Sequence, residues 1–322
     1  MRKQNIQDWE VSVLGAGTMG LCIAQLFAMH HHQVKLYNRT PANLERALHQ
    51  IQSNLNTLCE MGQIAETDIE DILSLIHGTS NLQESVKNAD FVIENVAENQ
   101  DVKKNIFAQL DEYCDEDIIF ASDTSTMNIY EFVEISHPER LTIAHFFNPA
   151  YVMPLVELVR GPHTSAEVMN TTKEFLISCG KSVAVLNKAI PGFILNRITL
   201  SIFREASYIA EQGWASPEDI DKAIVATFGP RYTFEGPFAL SDFAGIDVYE
   251  RLAALLFPVL SSSTKCPDLL SNMTSAGNLG VKSGAGFYKY EDTENAHRFR
   301  DTKILKMLQA IDQVNEETKT NK

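Results

Sequence analysis

His145 can act as an acid or base near neutral pH, because an unperturbed imidazole titrates there. It follows the apolar run Thr142 to Ala144, a strand candidate, and opens His145-Phe-Phe-Asn148-Pro149. Glu157 lies 12 residues later and interrupts a second apolar run, Leu155 to Val159. A carboxylate inside a strand is costly without a partner, and a histidine ring gains a fixed tautomer from one. The pair therefore reads as a base with its orienting carboxylate rather than as an isolated buried histidine.

The second constellation is Val11-Ser-Val-Leu-Gly15-Ala-Gly17-Thr18-Met19-Gly20, a G-x-G-x-x-G between a strand and an apolar-faced helix. Gly15 permits a tight turn, Gly17 lets backbone approach a pyrophosphate, and Gly20 allows close helix packing. Thr18 and Met19 open the helix, whose unpaired N–H groups face an anion. A dinucleotide site is expected here. The second strand candidate ends in Asn38-Arg39-Thr40, where an NAD site usually carries an acidic residue for the ribose. Neutral Asn38 does not repel a 2′-phosphate, and Arg39 with the Thr40 hydroxyl can bind one, so NADP is favoured over NAD. The alternative is NAD, with Asn38 on its ribose and Arg39 solvated.

These residues need a scaffold that brings strand ends together. Strand candidates are Val11 to Leu14, Val34 to Tyr37, Phe91 to Ile93, Ile118 to Ala121, Thr142 to Ala144, Leu155 to Val159 and Val183 to Leu186. Alternating with helical stretches, they predict an α/β fold: a Rossmann-type doubly wound parallel sheet. Leu44, Leu48, Ile51, Leu55 and Leu58 form one stripe of a helical hairpin between Pro41 and His77. Beyond Asn187, Pro191 is placed to open a helix with an apolar stripe of Leu195, Ile198, Ile202, Ala206 and Ile209, and Ser216-Pro217-Glu218-Asp219 caps the next. Two domains are expected, the dinucleotide-binding domain over residues 1–187 and an all-helical domain over 188–322, with a frayed tail from Asn315.

Composition narrows the classes. Forty-two acidic against 27 basic residues leave a net charge of −15, unsuited to gripping nucleic acid. No apolar run reaches the roughly 18 residues of a membrane span, and no apolar segment follows the first basic residues, so a cytoplasmic protein without membrane contact is expected. Cys22, Cys59, Cys114, Cys179 and Cys266 are scattered and read as buried free thiols, with neither a zinc site nor a disulfide framework. His30-His31-His32 at the end of the first helix suits the helix dipole better than a metal, so no metal is expected.

GAGTMG, the run from Val92 to Glu98, HFFNP, Leu155-Val-Glu157, Pro191-Gly-Phe-Ile-Leu-Asn196-Arg197 and Lys282-Ser-Gly-Ala-Gly-Phe-Tyr288 together resemble the 3-hydroxyacyl-CoA dehydrogenases, from about residue 11 to about 290. The resemblance implies a small-molecule substrate and a homodimer through the helical domain. It implies that His145 is the general base and that Glu157 stabilises its imidazolium. Ser125 and Asn196 would hold the reacting oxygen, with Glu98, Lys103 and Asn148 lining the cofactor site. Asp123 departs from the family, which usually has Asn there. Residues 47–86, where the family commonly meets the CoA phosphates, contain no Lys or Arg and six acidic residues. Met153-Pro154-Leu155-Val156-Glu157 and Gly229-Pro-Arg231-Tyr232 also look like the gulonate and carnitine dehydrogenase branch, where Arg231 can clamp a free carboxylate or stand as a solvated loop residue. Motif agreement favours a 3-hydroxyacyl-CoA; a free 3-hydroxy acid is the alternative. A non-enzymatic nucleotide binder like the lens crystallins of this superfamily is a third class, which the presence of both His145 and Glu157 argues against.

Overall fold

The computed structural model describes residues 3–319. The chain divides into two compact units, Met1–Arg197 and Ile198–Lys322. This division falls ten residues past position 187. The reason is local: the amides of Ile194 and Leu195 bond back to the sheet residue Glu157, so the first residues of the following helix belong with the sheet.

The first unit carries β1 (Glu10–Leu14), α1 (Thr18–Met29), β2 (Gln33–Tyr37), α2 (Pro41–Glu60), α3 (Glu66–Ser74), β3 (Ile76–Thr79), α4 (Leu82–Val86), β4 (Phe91–Glu94), α5 (Gln100–Tyr113), β5 (Ile119–Ser122), β6 (Leu141–Phe146), β7 (Leu155–Val159), α6 (Ala166–Ser178) and β8 (Ser182–Leu186). They form one eight-stranded sheet in the order β3-β2-β1-β4-β5-β6-β7-β8. The first six positions of that order are the doubly wound arrangement, whose ligand crevice lies beyond the carboxyl ends of the strands. β3 is a strand that the periodicity did not suggest.

The sheet is not parallel throughout. β7 runs antiparallel to β6, and β8 is parallel to β7. Only a short loop separates Phe146 from Leu155, too little chain for the crossover that a parallel neighbour requires. The central strands β4, β5 and β6 are buried at every position, as expected of a sheet covered on both faces. On one face Phe27 of α1 stacks on Phe175 of α6 at 5.3 Å, with Trp9 and Phe91 beside them. On the other, Phe107 of α5 meets Phe120 of β5 at 6.3 Å. Truncating a fully buried ring such as Phe175 costs about 3–5 kcal/mol.

Leu44, Ala47, Ile51, Leu55 and Leu58 are the buried face of α2. Of the three histidines after α1, His31 is exposed, His30 half-buried and His32 buried. His32 is 1% exposed, its Nδ1 lies 3.1 Å from the Trp9 carbonyl, and burial pushes the pKa values of both His30 and His32 down. Cys22 and Cys179 are buried, but Cys59 and Cys114 are half-buried and Cys266 is exposed, which corrects the expectation of five buried thiols.

The second unit is helical: α7 (Leu195–Glu211), α8 (Pro217–Tyr232), α9 (Pro237–Ala244), α10 (Ile246–Leu256), α11 (Asp268–Ser275) and α12 (Thr293–Lys319). Pro191 does not open α7. Gly192 (φ 78°) and Phe193 (φ 48°) adopt left-handed backbone, which a right-handed helix cannot contain. The Ser216 hydroxyl accepts from the Asp219 amide at 3.1 Å and caps α8. α12 continues through the expected tail to Lys319, helped by Gln313 donating to Glu317 one turn on; positions 320–322 lie outside the described residues. No residue of α8 to α11 is buried, and Phe238, Phe243 and Leu255 are among the exposed apolar side chains. Among the described residues no helix is long and apolar enough to cross a membrane.

Candidate active site

The parallel register brings the chemistry-bearing residues to one edge. Leu14, the last residue of β1, is level with Tyr37 and Glu94, and Glu94 is level with Ser122. Gly15, Asn38, Asn95 and Asp123 therefore leave the sheet side by side, with His145 near the end of β6 on the same edge.

The dinucleotide turn has the geometry its glycines imply. Gly15 has φ 117°, and a Cβ there would lie 2.4 Å from the Asn95 carbonyl oxygen. A Cβ on Gly20 would lie 1.7 Å from the Gly15 carbonyl oxygen, so α1 packs as closely as only glycine permits. Gly17, the N-cap of α1, has open space where its Cβ would stand, and Thr18 and Met19 form the first turn. Beside Gly15 and Gly20, both amide atoms of Asn95 are buried without a partner among the described residues. An open anion cradle at a helix N-terminus, next to an unsatisfied amide, fits a dinucleotide. Asn38 Oδ1 accepts from the Thr40 amide at 3.0 Å and from Asn43 Nδ2 at 3.3 Å, which fixes the turn; Arg39 is exposed.

Lys103, which the resemblance implies at the cofactor site, is 1% exposed. Its Nζ donates to both oxygens of Glu94 at 2.8 and 2.9 Å and pairs with Glu98 at 3.2 Å. Glu94 also accepts from Ser122 Oγ at 2.6 Å and the Val96 amide at 2.7 Å. Glu98 accepts from Thr124 Oγ1 at 2.5 Å and Thr126 Oγ1 at 3.2 Å. Burial pushes the Glu98 carboxyl up, but Thr124, Lys103 and Thr126 together hold it below the ordinary range. This network, with Glu94 at its centre, ties β4, α5 and the loop that carries Ser125. Glu94 interrupts an apolar run just as Glu157 does, and that signal was available in the sequence.

Asp123 Oδ1 accepts from the Phe146 amide at 2.7 Å, joining the β5 end to the residue after His145. Ser125 is exposed, and its backbone carbonyl accepts from Asn196 Nδ2 at 3.3 Å, so these two candidates for holding the reacting oxygen are adjacent. Asn148 is exposed and joined to Pro149 by a cis peptide bond. Arg231 is exposed in the last turn of α8, a helical rather than a loop position.

His145 and Glu157 are directly opposed across β6 and β7, and His145 Nδ1 lies 2.8 Å from Glu157 Oε2. Both are buried, and the other ring nitrogen of His145 has no hydrogen-bond partner among the described residues. Glu157 Oε1 accepts from the amides of Ile194 at 2.9 Å and Leu195 at 2.8 Å. Burial raises the Glu157 carboxyl, yet His145 and the two amides outweigh it and hold the group below the usual carboxylate range. Glu157 thus stays ionised and fixed, and Nδ1 carries the proton that faces it. Such a pair accepts a proton at Nε2 while its carboxylate stabilises the imidazolium. Among the described residues no cluster of three or more His, Cys, Asp or Glu is placed to hold a metal.

Family models described as "3-hydroxyacyl-CoA dehydrogenase, NAD binding domain" and "3-hydroxyacyl-CoA dehydrogenase, C-terminal domain" match residues 10–189 and 192–290. The chain belongs to the 3-hydroxyacyl-CoA dehydrogenase family. It is an oxidoreductase with a family NAD-binding domain. It is 32% identical over 313 residues to the 5-formyl-3-hydroxy-2-methylpyridine 4-carboxylate 5-dehydrogenase of Mesorhizobium japonicum, covering 94% of this chain and 98% of that protein. It is 37% identical over 286 residues to the probable 3-hydroxybutyryl-CoA dehydrogenase of Bacillus subtilis, covering 88% and 98%. A crystal structure of a 5-formyl-3-hydroxy-2-methylpyridine 4-carboxylic acid 5-dehydrogenase, described as an NAD+ dependent dismutase, superposes with a TM-score of 0.85 at 30% identity, covering 95% of this chain and 99% of that one.

Proposed function

We propose that the protein oxidises the hydroxyl carbon of a small hydroxy acid, reversibly, with His145 as the base. The observation that carries this reading is the His145–Glu157 pair, held at 2.8 Å with the far carboxylate oxygen pinned by two amides. In oxidation Nε2 takes the hydroxyl proton, and the charge that develops on the ring is met by Glu157 through Nδ1. Ser125 and Asn196 hold the reacting oxygen. The dinucleotide, when bound, supplies the hydride chemistry. Gly17, Thr18 and Met19 would meet its pyrophosphate and Asn38, Arg39 and Thr40 its adenosine ribose, with Glu98 and Asn148 as further contacts. We infer a preference for NADP from the neutral Asn38 and the exposed Arg39.

Two observations favour a free carboxylate on the substrate. Positions 47–86, which cover most of the α2–α3 hairpin, have no Lys or Arg and expose Glu60, Glu66, Glu70 and Asp71, a surface that repels a polyanionic thioester. The pyridine carboxylate dehydrogenase also aligns with more of the chain than the Bacillus enzyme does, 94% against 88%. Arg231 is the proposed clamp for the carboxylate. The second reading is a 3-hydroxyacyl-CoA, supported by the two family models and the HFFNP and KSGAGFY motifs.

The deciding experiment compares acetoacetate, sugar acids and pyridine carboxylates with acetoacetyl-CoA at matched concentration, with Arg231→Ala alongside. Turnover of free acids that is lost in the arginine variant supports the proposal. Turnover of the thioester alone, unaffected by that variant, establishes the CoA reading. A homodimer through the helical unit is proposed from its exposed apolar side chains. Sedimentation at micromolar concentration tests it, and a 36.0 kDa species would refute it.

A further inference from the structure

We propose that Phe193 is a positioning residue for this reaction, its backbone turning two amides onto Glu157 while its ring braces the imidazole of His145. Phe193 follows Gly192 in the turn before α7 and has φ 48°. A bulky L-residue in left-handed backbone is an outlier that persists only where its surroundings over-determine it. The ring supplies that determination: Phe193 is 1% exposed, and its centroid lies 5.5 Å from that of His145 at an interplanar angle of 55°. The turn it makes points the next two amides, of Ile194 and Leu195, at Glu157 Oε1, while Oε2 remains on His145 Nδ1. One residue therefore touches the base with its side chain and fixes the base's carboxylate with its backbone. Glycine would adopt this φ without strain but would leave the imidazole unbraced. The net lowering of the Glu157 pKa is consistent with the two amides acting on it.

The proposal rests on His145 being the base, so its test includes readouts independent of turnover. Phe193→Gly keeps the left-handed turn and removes the ring; Phe193→Ala removes the ring and retains the strain. NMR hydrogen exchange at Ile194 and Leu195 should be about tenfold or more faster in Phe193→Ala than in Phe193→Gly. The low-field His145 Nδ1–H resonance, assigned by its absence in His145→Ala, should be lost in both. Turnover should fall about tenfold or more in both variants, with KM changed less than about threefold and dinucleotide affinity retained. If Phe193→Ala does not fold, Phe193→Leu takes its place in the exchange comparison, since leucine bears the same backbone strain. Equal exchange in the strained and glycine variants, or wild-type turnover and an intact Nδ1–H resonance in Phe193→Gly, overturns the proposal. If the wild type turns over no member of the substrate panel, the reaction assignment fails, and exchange with the imidazole resonance still decides the role of Phe193.

Discussion

His145 and Glu157 are directly opposed residues of an antiparallel strand pair, so the sheet register itself sets the base against its carboxylate. Opposed residues of such a pair share one face with their Cβ atoms close together, which leaves the 2.8 Å hydrogen bond little freedom to open. A one-residue slip of β7 would turn Glu157 to the other face and abolish the pair.

His145→Ala should therefore lower turnover by about 10²-fold or more while dinucleotide affinity, read by fluorescence titration, stays unchanged. Glu157→Gln should keep the fold and lose about tenfold or more, because the neutral amide cannot stabilise the imidazolium. Wild-type turnover in His145→Ala would remove the assignment.

The cofactor prediction concerns Arg39. Its guanidinium is exposed beyond β2, next to the Asn38 turn. Arg39→Ala should weaken NADPH by about tenfold and NADH by less than twofold, since only the 2′-phosphate offers a charge-assisted partner. Equal weakening, or tighter NADH binding by the wild type, would place Arg39 outside the recognition of that phosphate.

Asp123 yields a pH-dependent prediction. Burial, with Glu94 and Glu98 nearby, pushes its carboxyl well above the ordinary value, although the Phe146 amide and Lys103 oppose this. The folded chain thus holds a proton that the unfolded chain releases, and this group's contribution to stability declines as pH rises above about 4. Asp123→Asn keeps an acceptor for the Phe146 amide without the ionisation. In urea melts it should gain on the wild type as pH rises from 4 to 8, whereas Asp123→Ala should lose stability throughout. A difference independent of pH would contradict this.

Much of this was legible because the local signals agreed. The glycine turn and α2 follow from spacing alone, and His145–Glu157 followed from a costly carboxylate in an apolar run. β3 was missed because Ile76-His-Gly-Thr is a four-residue edge strand with a glycine in it, too short for alternation to show. The resemblance implies Lys103 at the cofactor site, and sequence does not reveal that its ammonium is also buried between Glu94 and Glu98. The left-handed Phe193 was illegible for a different reason: its ring is buried in the core and against His145, contacts with segments distant in sequence.

The last prediction concerns Lys181, which lies just before β8 and is 7% exposed. Its Nζ donates to the carbonyls of Ala150 and Met153, holding the loop that connects HFFNP to β7. Burial lowers its pKa from 10.5 to about 8. Between these values the unfolded chain binds more protons than the folded one, so this group makes stability rise with pH from about 8 towards 10.5. The neighbouring Cys179 acts in the opposite sense, since burial raises its thiol from 9.0 to about 12 and the unfolded chain releases that proton first. The measurement must therefore compare wild type with Lys181→Met at each pH, not wild type with itself. Lys181→Met leaves two loop carbonyls without their donor and should be less stable than wild type at pH 9 and above. The gap should widen from pH 7.5 to 10 by on the order of 1–3 kcal/mol in urea melts. A gap that stays constant over this range would mean that Lys181 does not release its proton in the folded state.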